Sequence, residues 1–253
     1  MSLGLKEDTW WFILGGVAIS LIILTVTYVS YQTITSKKDD RLCLVSGENM
    51  SVVDILFDAT DQPSKNQVRV INDKLDDMLN VLDQGTLIRV FSISAHIGGL
   101  SSIEFEMCMP TLPSKTSDFT GNKLFAKRNY EDKFKIPLES AITSILTRPE
   151  QETSPIIEAL HDYSQKNHPK ASTRQVIIFS DLLQNTSDYS VYSESKRLIT
   201  YPYDVDLNNA QVLVYVLERK GGVRKRQNRS FINDWSKVIG KHVDSLQFKK
   251  VRS

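Results

Sequence analysis

The sequence is short of most features that announce a function. It has only two cysteines, Cys43 and Cys108, in 253 residues. That excludes a disulfide framework and a thiolate metal centre, and such sparse usage favours free thiols. Its four histidines, His96, His161, His168 and His242, have no metal-ligand spacing. No Cys–His or Ser–His–Asp arrangement is suggested by local motifs, and no phosphate-binding glycine loop follows an apolar run. The formal net charge is +1, so bulk charge implies neither a nucleic acid nor a strongly acidic partner. There is no internal repeat.

One absence points somewhere. Trp10 to Tyr31 contains no charged residue. As a helix it would be roughly 33 Å long at 1.5 Å per residue, enough for a hydrocarbon core of about 30 Å. Trp10 and Trp11 stand at one end and Tyr28 and Tyr31 at the other, as an interfacial aromatic belt requires. A cleaved signal peptide fits poorly, because Lys6 is followed by Glu7 and Asp8 and no small-x-small site follows. The expected layout is a tail over 1–9, a transmembrane helix over 10–31, a linker over 32–50 and a domain over 51–253. Lys37, Lys38 and Arg41 follow the span and only Lys6 precedes it. The positive-inside rule therefore places the domain in the cytoplasm, with export as the alternative. Gly16 and Ser20 form a small-xxx-small pair, which ordinary membrane-helix composition also produces.

The domain reads as strands alternating with helices. Val52 to Phe57 is an apolar, β-rich run of the kind buried at the centre of an α/β sheet. Ser64 and Gln67 make a capping box for a helix whose stripe is Val68, Ile71, Leu75, Met78, Leu79 and Leu82. Leu87 to Ile93 and Ile103 to Met107, with a turn at Gly98-Gly99, predict an antiparallel edge hairpin. Helices are expected over Asn122 to Phe134, from Pro137 to about Leu146, after Pro155, and over Asp188 to Ile199. Val176 to Phe179 and Val212 to Leu217 are further buried strands. Phe231, Trp235, Val238, Ile239 and His242 form one face of a last helix, and Leu246 to Val251 a last edge strand. The fold class is α/β: a doubly wound, mostly parallel sheet covered on both faces.

In such sheets ligands sit outside the carboxyl ends of the strands. That edge collects Asp58, Thr60, Asp61, Gln62, Ser154 and Asp181. Carboxylate, hydroxyl and amide oxygens are hard ligands of the kind Mg2+ prefers. Converging carboxylates need a cation, an Arg or Lys, or a shared proton. Equally, Asp58 and Asp181 can cap helices and accept backbone N–H bonds at loop starts.

From about Val52 to Val251 the chain resembles the von Willebrand factor A-like domain. The residues that carry the likeness are Asp58-x-Thr60-x-Gln62, Ser154 in Glu-Thr-Ser-Pro-Ile-Ile-Glu-Ala-Leu, and Asp181 in Ile-Ile-Phe-Ser-Asp-Leu-Leu-Gln-Asn. The resemblance implies a metal-ion-dependent adhesion site built from Asp58, Thr60, Gln62, Ser154 and Asp181. The pattern is altered: Gln62 stands for a serine, Ser154 for a threonine, and Leu182 where glycine commonly follows the final aspartate. The whole chain looks similar to small membrane-anchored bacterial proteins carrying this divergent domain.

Arg219-Lys220, Arg224-Lys225-Arg226 and Arg229 form a basic run after the fifth strand, on the same edge as the acids. It suits an anionic lipid or an acidic protein, or is a solvated loop. Single-stranded nucleic acid is not favoured, because no aromatic residues are interleaved. The leading expectation is a membrane-tethered module that binds a protein partner through this edge, Asp61, Arg224, Lys225 and Arg226 included. The alternatives are a metal-dependent hydrolase or phosphotransferase using Asp58, Asp61 and Asp181, and a metal-free membrane scaffold. No general base or substrate cradle is evident for the enzyme.

Overall fold

The computed structural model describes residues 7–35, 38–44, 50–95, 100–116, 122–193, 198 and 203–253, which form two compact units, Met1–Glu48 and Asn49–Ser253. Within these, the side chains of 7–13, 29–35 and 101 are not described.

The first unit contains helix α1, Glu7–Thr35. Its described side chains run from residue 14 to 28. There Leu14, Val17, Ile19, Leu21 to Leu24, Val26 and Tyr28 are each more than half exposed. Among the described residues, no helix is long and apolar enough to cross a membrane. The side chains of Trp10, Trp11 and Tyr31 lie outside those described. After α1 the carboxylate of Asp39 accepts the backbone N–H groups of Arg41 and Cys43, at 3.0 and 2.8 Å, which closes a tight turn.

The second unit is a six-stranded sheet in the order β3-β2-β1-β4-β5-β6. The strands are β1 Ser51–Asp58, β2 Leu87–Ile93, β3 Leu100–Cys108, β4 Thr173–Ser180, β5 Ala210–Leu217 and β6 Val243–Val251. Only β3 runs antiparallel. β1 lies centrally, between β2 and β4, and its apolar residues on both faces (Val52, Val53, Ile55, Leu56 and Phe57) are all buried, as a strand covered on both sides requires. The expected hairpin is present, although Gly98-Gly99 lies outside the described residues. So is the last edge strand.

The two-residue period of a strand divides the core. Leu56, Ile178 and Val214 face one side with α5 (Ile156–Gln165) and α6 (Arg229–Ile239), around the fully buried Tyr163 and Trp235. Phe57, Phe179 and Tyr215 form a stacked ladder across β1, β4 and β5, with centroids 5.0 and 4.8 Å apart. The Ser64–Gln67 capping box opens α2 (Lys65–Val81) as its sequence requires. Helices α3 (Lys123–Tyr130) and α4 (Ile136–Leu146) are joined by one wide turn, Glu131–Lys135, where Ile136 donates its N–H to Glu131. Pro137 has no N–H to continue the regular ladder, so the wider pattern precedes it.

Three expectations change. Asp188 to Ser193 is not helical; Asn185 instead makes antiparallel bridges to Ser154 and Ser190, and 194–197 and 199 lie outside the described residues. His242 falls in a short 3-10 turn, Gly240–His242, after α6 rather than on that helix. The cysteines are not free thiols: Cys43 and Cys108 are both disulfide-bonded and both buried.

Candidate functional site

Strand order reverses direction between β1 and β4, so a crevice opens at their carboxyl ends. Asp58 is the last residue of β1, and Asp181 follows the last residue of β4. Both are buried, at 5% and 3% exposure. Sheet topology alone has brought together carboxylates 123 positions apart in the sequence.

Asp58 is fully engaged. Its Oδ1 accepts the Thr60 backbone N–H at 3.1 Å and the Thr60 hydroxyl at 2.5 Å. Its Oδ2 accepts the Ser180 hydroxyl at 2.7 Å. Thr60 Oγ1 lies 2.9 Å from Ser154 Oγ, and Ser154 is held by paired backbone bonds to Asn185. Asp58, Thr60 and Ser154 therefore form one hydrogen-bonded group. Gln62 does not join these bonds: its amide donates to the Arg148 carbonyl at 3.1 Å.

Asp181 Oδ1 accepts the Leu183 N–H at 2.9 Å. Its Oδ2 lies 3.1 Å from Arg219 Nε, a charge contact without an aligned hydrogen bond. The Arg219 NH2 group also pairs with Asp61, and its NH1 reaches the Gln62 carbonyl at 3.4 Å. Burial raises the Asp181 pKa well above the carboxylate range, and the charge of Asp58 adds to this; the Leu183 N–H and Arg219 oppose it. Burial also raises Asp58, against the bonds from Thr60 and Ser180.

Leu182 holds a left-handed backbone, φ 62, a region that favours glycine. It is tolerated because the side chain is fully buried in the core. Its N–H donates to Ser180 at 2.8 Å, and its carbonyl accepts the Trp235 indole at 3.0 Å.

A divalent ion does not fit this arrangement as it stands. Both Asp58 oxygens are occupied, Gln62 is turned to Arg148, and a guanidinium already lies on Asp181 and Asp61. The gap lined by Asp58, Asp61, Asp181 and Arg219 has room for about 10 Å³. That is about one water, whereas Mg2+ keeps several. Among the described residues, no group of three His, Cys, Asp or Glu side chains is placed to hold a metal.

The basic run curls over the same edge. Arg224 and Lys250 flank the buried Glu218 at 3.4 and 3.2 Å, so Arg224 is a structural partner there. Lys225 is exposed. Arg226 donates to the Val191 carbonyl at 2.9 Å and lies over the Tyr192 ring, 5.5 Å from its centroid. Two residues absent from the expected site organise it. Gln227, fully buried, donates to the carbonyls of Asp181 and Leu217 and accepts the Arg219 N–H. Arg219 supplies the positive charge. The sequence carried a signal for Arg219, which follows a strand whose end meets the acids; it carried none for Gln227, whose neighbours are other loops.

No protein-family model and no characterised protein sequence matches the chain. Among solved structures, the chain is similar to an aerotolerance-related membrane protein from Bacteroides fragilis NCTC 9343, at 11% identity and a TM-score of 0.37, covering 79% of this chain and 91% of that one. It is also similar to a D319A mutant of the PilB minor pilin from Streptococcus sanguinis, at 9% identity and a TM-score of 0.45. That match covers 82% of this chain and 58% of the pilin. The α/β assignment rests on the strand order described above.

Proposed function

We propose that the chain is a membrane-anchored interaction module with a von Willebrand factor A-like domain, and that it binds an acidic segment of a protein partner at the carboxyl edge of its sheet. One observation carries this reading. Around a carboxylate cluster already neutralised from within, the edge presents Lys225 and the stacked Tyr192–Arg226 pair to solvent. Arginine and aromatic side chains held rigid beside a crevice are the composition of binding hot spots. The basic loop gives the surface its sign.

Residues 10–31 serve as the anchor in this reading, supported by the uncharged run and by the apolar side chains exposed along 14–28. The domain faces an oxidising compartment, because disulfides persist there and are rare in the cytosol. This departs from the orientation that Lys and Arg counting favours, and that count rests on a small difference.

The test is site-specific photocrosslinking in cells with the crosslinker at Tyr192, and at Ser245 on the far edge strand as the control. The reading expects one partner captured from Tyr192 only, and its loss on Lys225→Glu with Arg226→Glu. Capture that ignores charge reversal, or is equal from Ser245, rejects it.

A further inference from the structure

We propose that Arg219 is the built-in cation of this edge: its guanidinium lies between the carboxylates where a divalent ion would be needed, and the site takes up such an ion only when that arginine is removed. Converging buried carboxylates require positive charge, a proton or separation. Here Nε lies 3.1 Å from Asp181 Oδ2, NH2 pairs with Asp61, and NH1 reaches the Gln62 carbonyl.

This is not a chance surface pair. Arg219 is largely buried, at 24% side-chain exposure. Its own N–H is held at 2.8 Å by Gln227, whose amide also donates to the Asp181 carbonyl at 2.9 Å. One buried side chain thus sets the backbone of both the cation and its main anion. Among the described residues Asp181 Oδ2 has no hydrogen-bond partner and only the Arg219 charge beside it, so removing the guanidinium leaves a buried carboxylate oxygen facing open space beside Asp58 and Asp61. Hard oxygens of like charge around a new cavity, with the Thr60 and Ser154 hydroxyls adjoining, are what a small divalent cation binds.

The experiment is thermal unfolding of the full chain in lipid nanodiscs, titrated with MgCl2 and with MnCl2. Wild type and Arg219→Lys, which keeps the charge, should show no saturable rise in Tm. Arg219→Ala should start lower and gain roughly 5 °C at saturation, because a ligand that binds only the folded state raises its melting point. Adding Asp181→Asn to Arg219→Ala should abolish that gain. Arg219→Gln, which fills more of the space, is read in the same way if Arg219→Ala does not fold. A saturable rise in wild type, or a folded Arg219→Ala with none, overturns the proposal. Partner capture plays no part in this readout, so failure of the interaction reading and failure of this one are distinguishable.

Discussion

Arg89 grips Asp54 with two parallel bonds, Nε to Oδ1 at 2.7 Å and NH2 to Oδ2 at 2.8 Å, in the interior of the sheet. Asp54 is fully buried midway along β1. Arg174 adds a third bond at 2.9 Å, and the Tyr163 hydroxyl donates a fourth. His168 Nδ1 accepts from Arg89 at 3.1 Å, which leaves its Nε2–H to donate to the Tyr163 carbonyl at 2.8 Å. Asp54→Ala strands two largely buried guanidiniums, so it should cost at least about 3–5 kcal/mol of unfolding free energy. Arg89→Met should cost less, because Arg174 and Tyr163 still satisfy the carboxylate. Urea denaturation of the two variants checks the order.

Leu182 reverses an ordinary rule. Alanine normally exceeds glycine in stability at a given position, but a left-handed φ penalises any Cβ by roughly 1–2 kcal/mol. Both substitutions lose the buried side chain, at about 2–5 kcal/mol. Leu182→Gly should therefore be less stable than wild type yet more stable than Leu182→Ala, by about 1 kcal/mol. Equal or inverted midpoints would show that φ at this position relaxes.

The pH dependence has a fixed sign. Asp58 and Asp181 are both raised in the folded chain. The folded state thus holds protons that the unfolded chain releases near pH 4. Their contribution is fully present below the unfolded pKa and is lost as pH rises through the folded values. Asp181→Asn removes the larger share of this loss. Its denaturation midpoint should exceed that of wild type at pH 8, with a smaller difference at pH 5.

Disulfide-bonded cysteines give a direct chemical prediction. Iodoacetamide applied to the unreduced, denatured chain should add no mass at Cys43 or Cys108. Reduction should open both positions to alkylation and lower stability by about 2–5 kcal/mol. Mass spectrometry reads the first outcome and thermal unfolding the second.

The sheet was legible because its signals are local. The apolar runs of β1, β4 and β5, the Ser64–Gln67 box and the Pro137 start each follow from neighbouring residues, and each appears in the structure. The carboxyl edge was legible as a place, since strand ends collect there in any doubly wound sheet. Its chemistry was only half legible. Asp58, Thr60 and Ser154 are linked by hydrogen bonds, but Gln62 finds Arg148, which no spacing foretells. Over Asp188 to Ser193 the expected helix is absent because local turn chemistry wins. Asn185 and Ser190 hydrogen-bond each other at 2.8 Å and draw the chain into bridges instead.

The strand order also sets a timetable. β1 is the first strand made, yet one of its two neighbours is β4, where Asp54 stands opposite Val176. At about 5–20 residues per second, synthesis leaves that flank of the central strand bare for on the order of ten seconds. Closure comes later still, because Gln67 at the start of α2 donates to the carbonyls of Glu218 and Val251, on the last two strands' carboxyl side. Until β4 emerges, the central strand therefore carries a row of unpaired N–H and C=O groups along one flank, which must be kept from pairing with another chain.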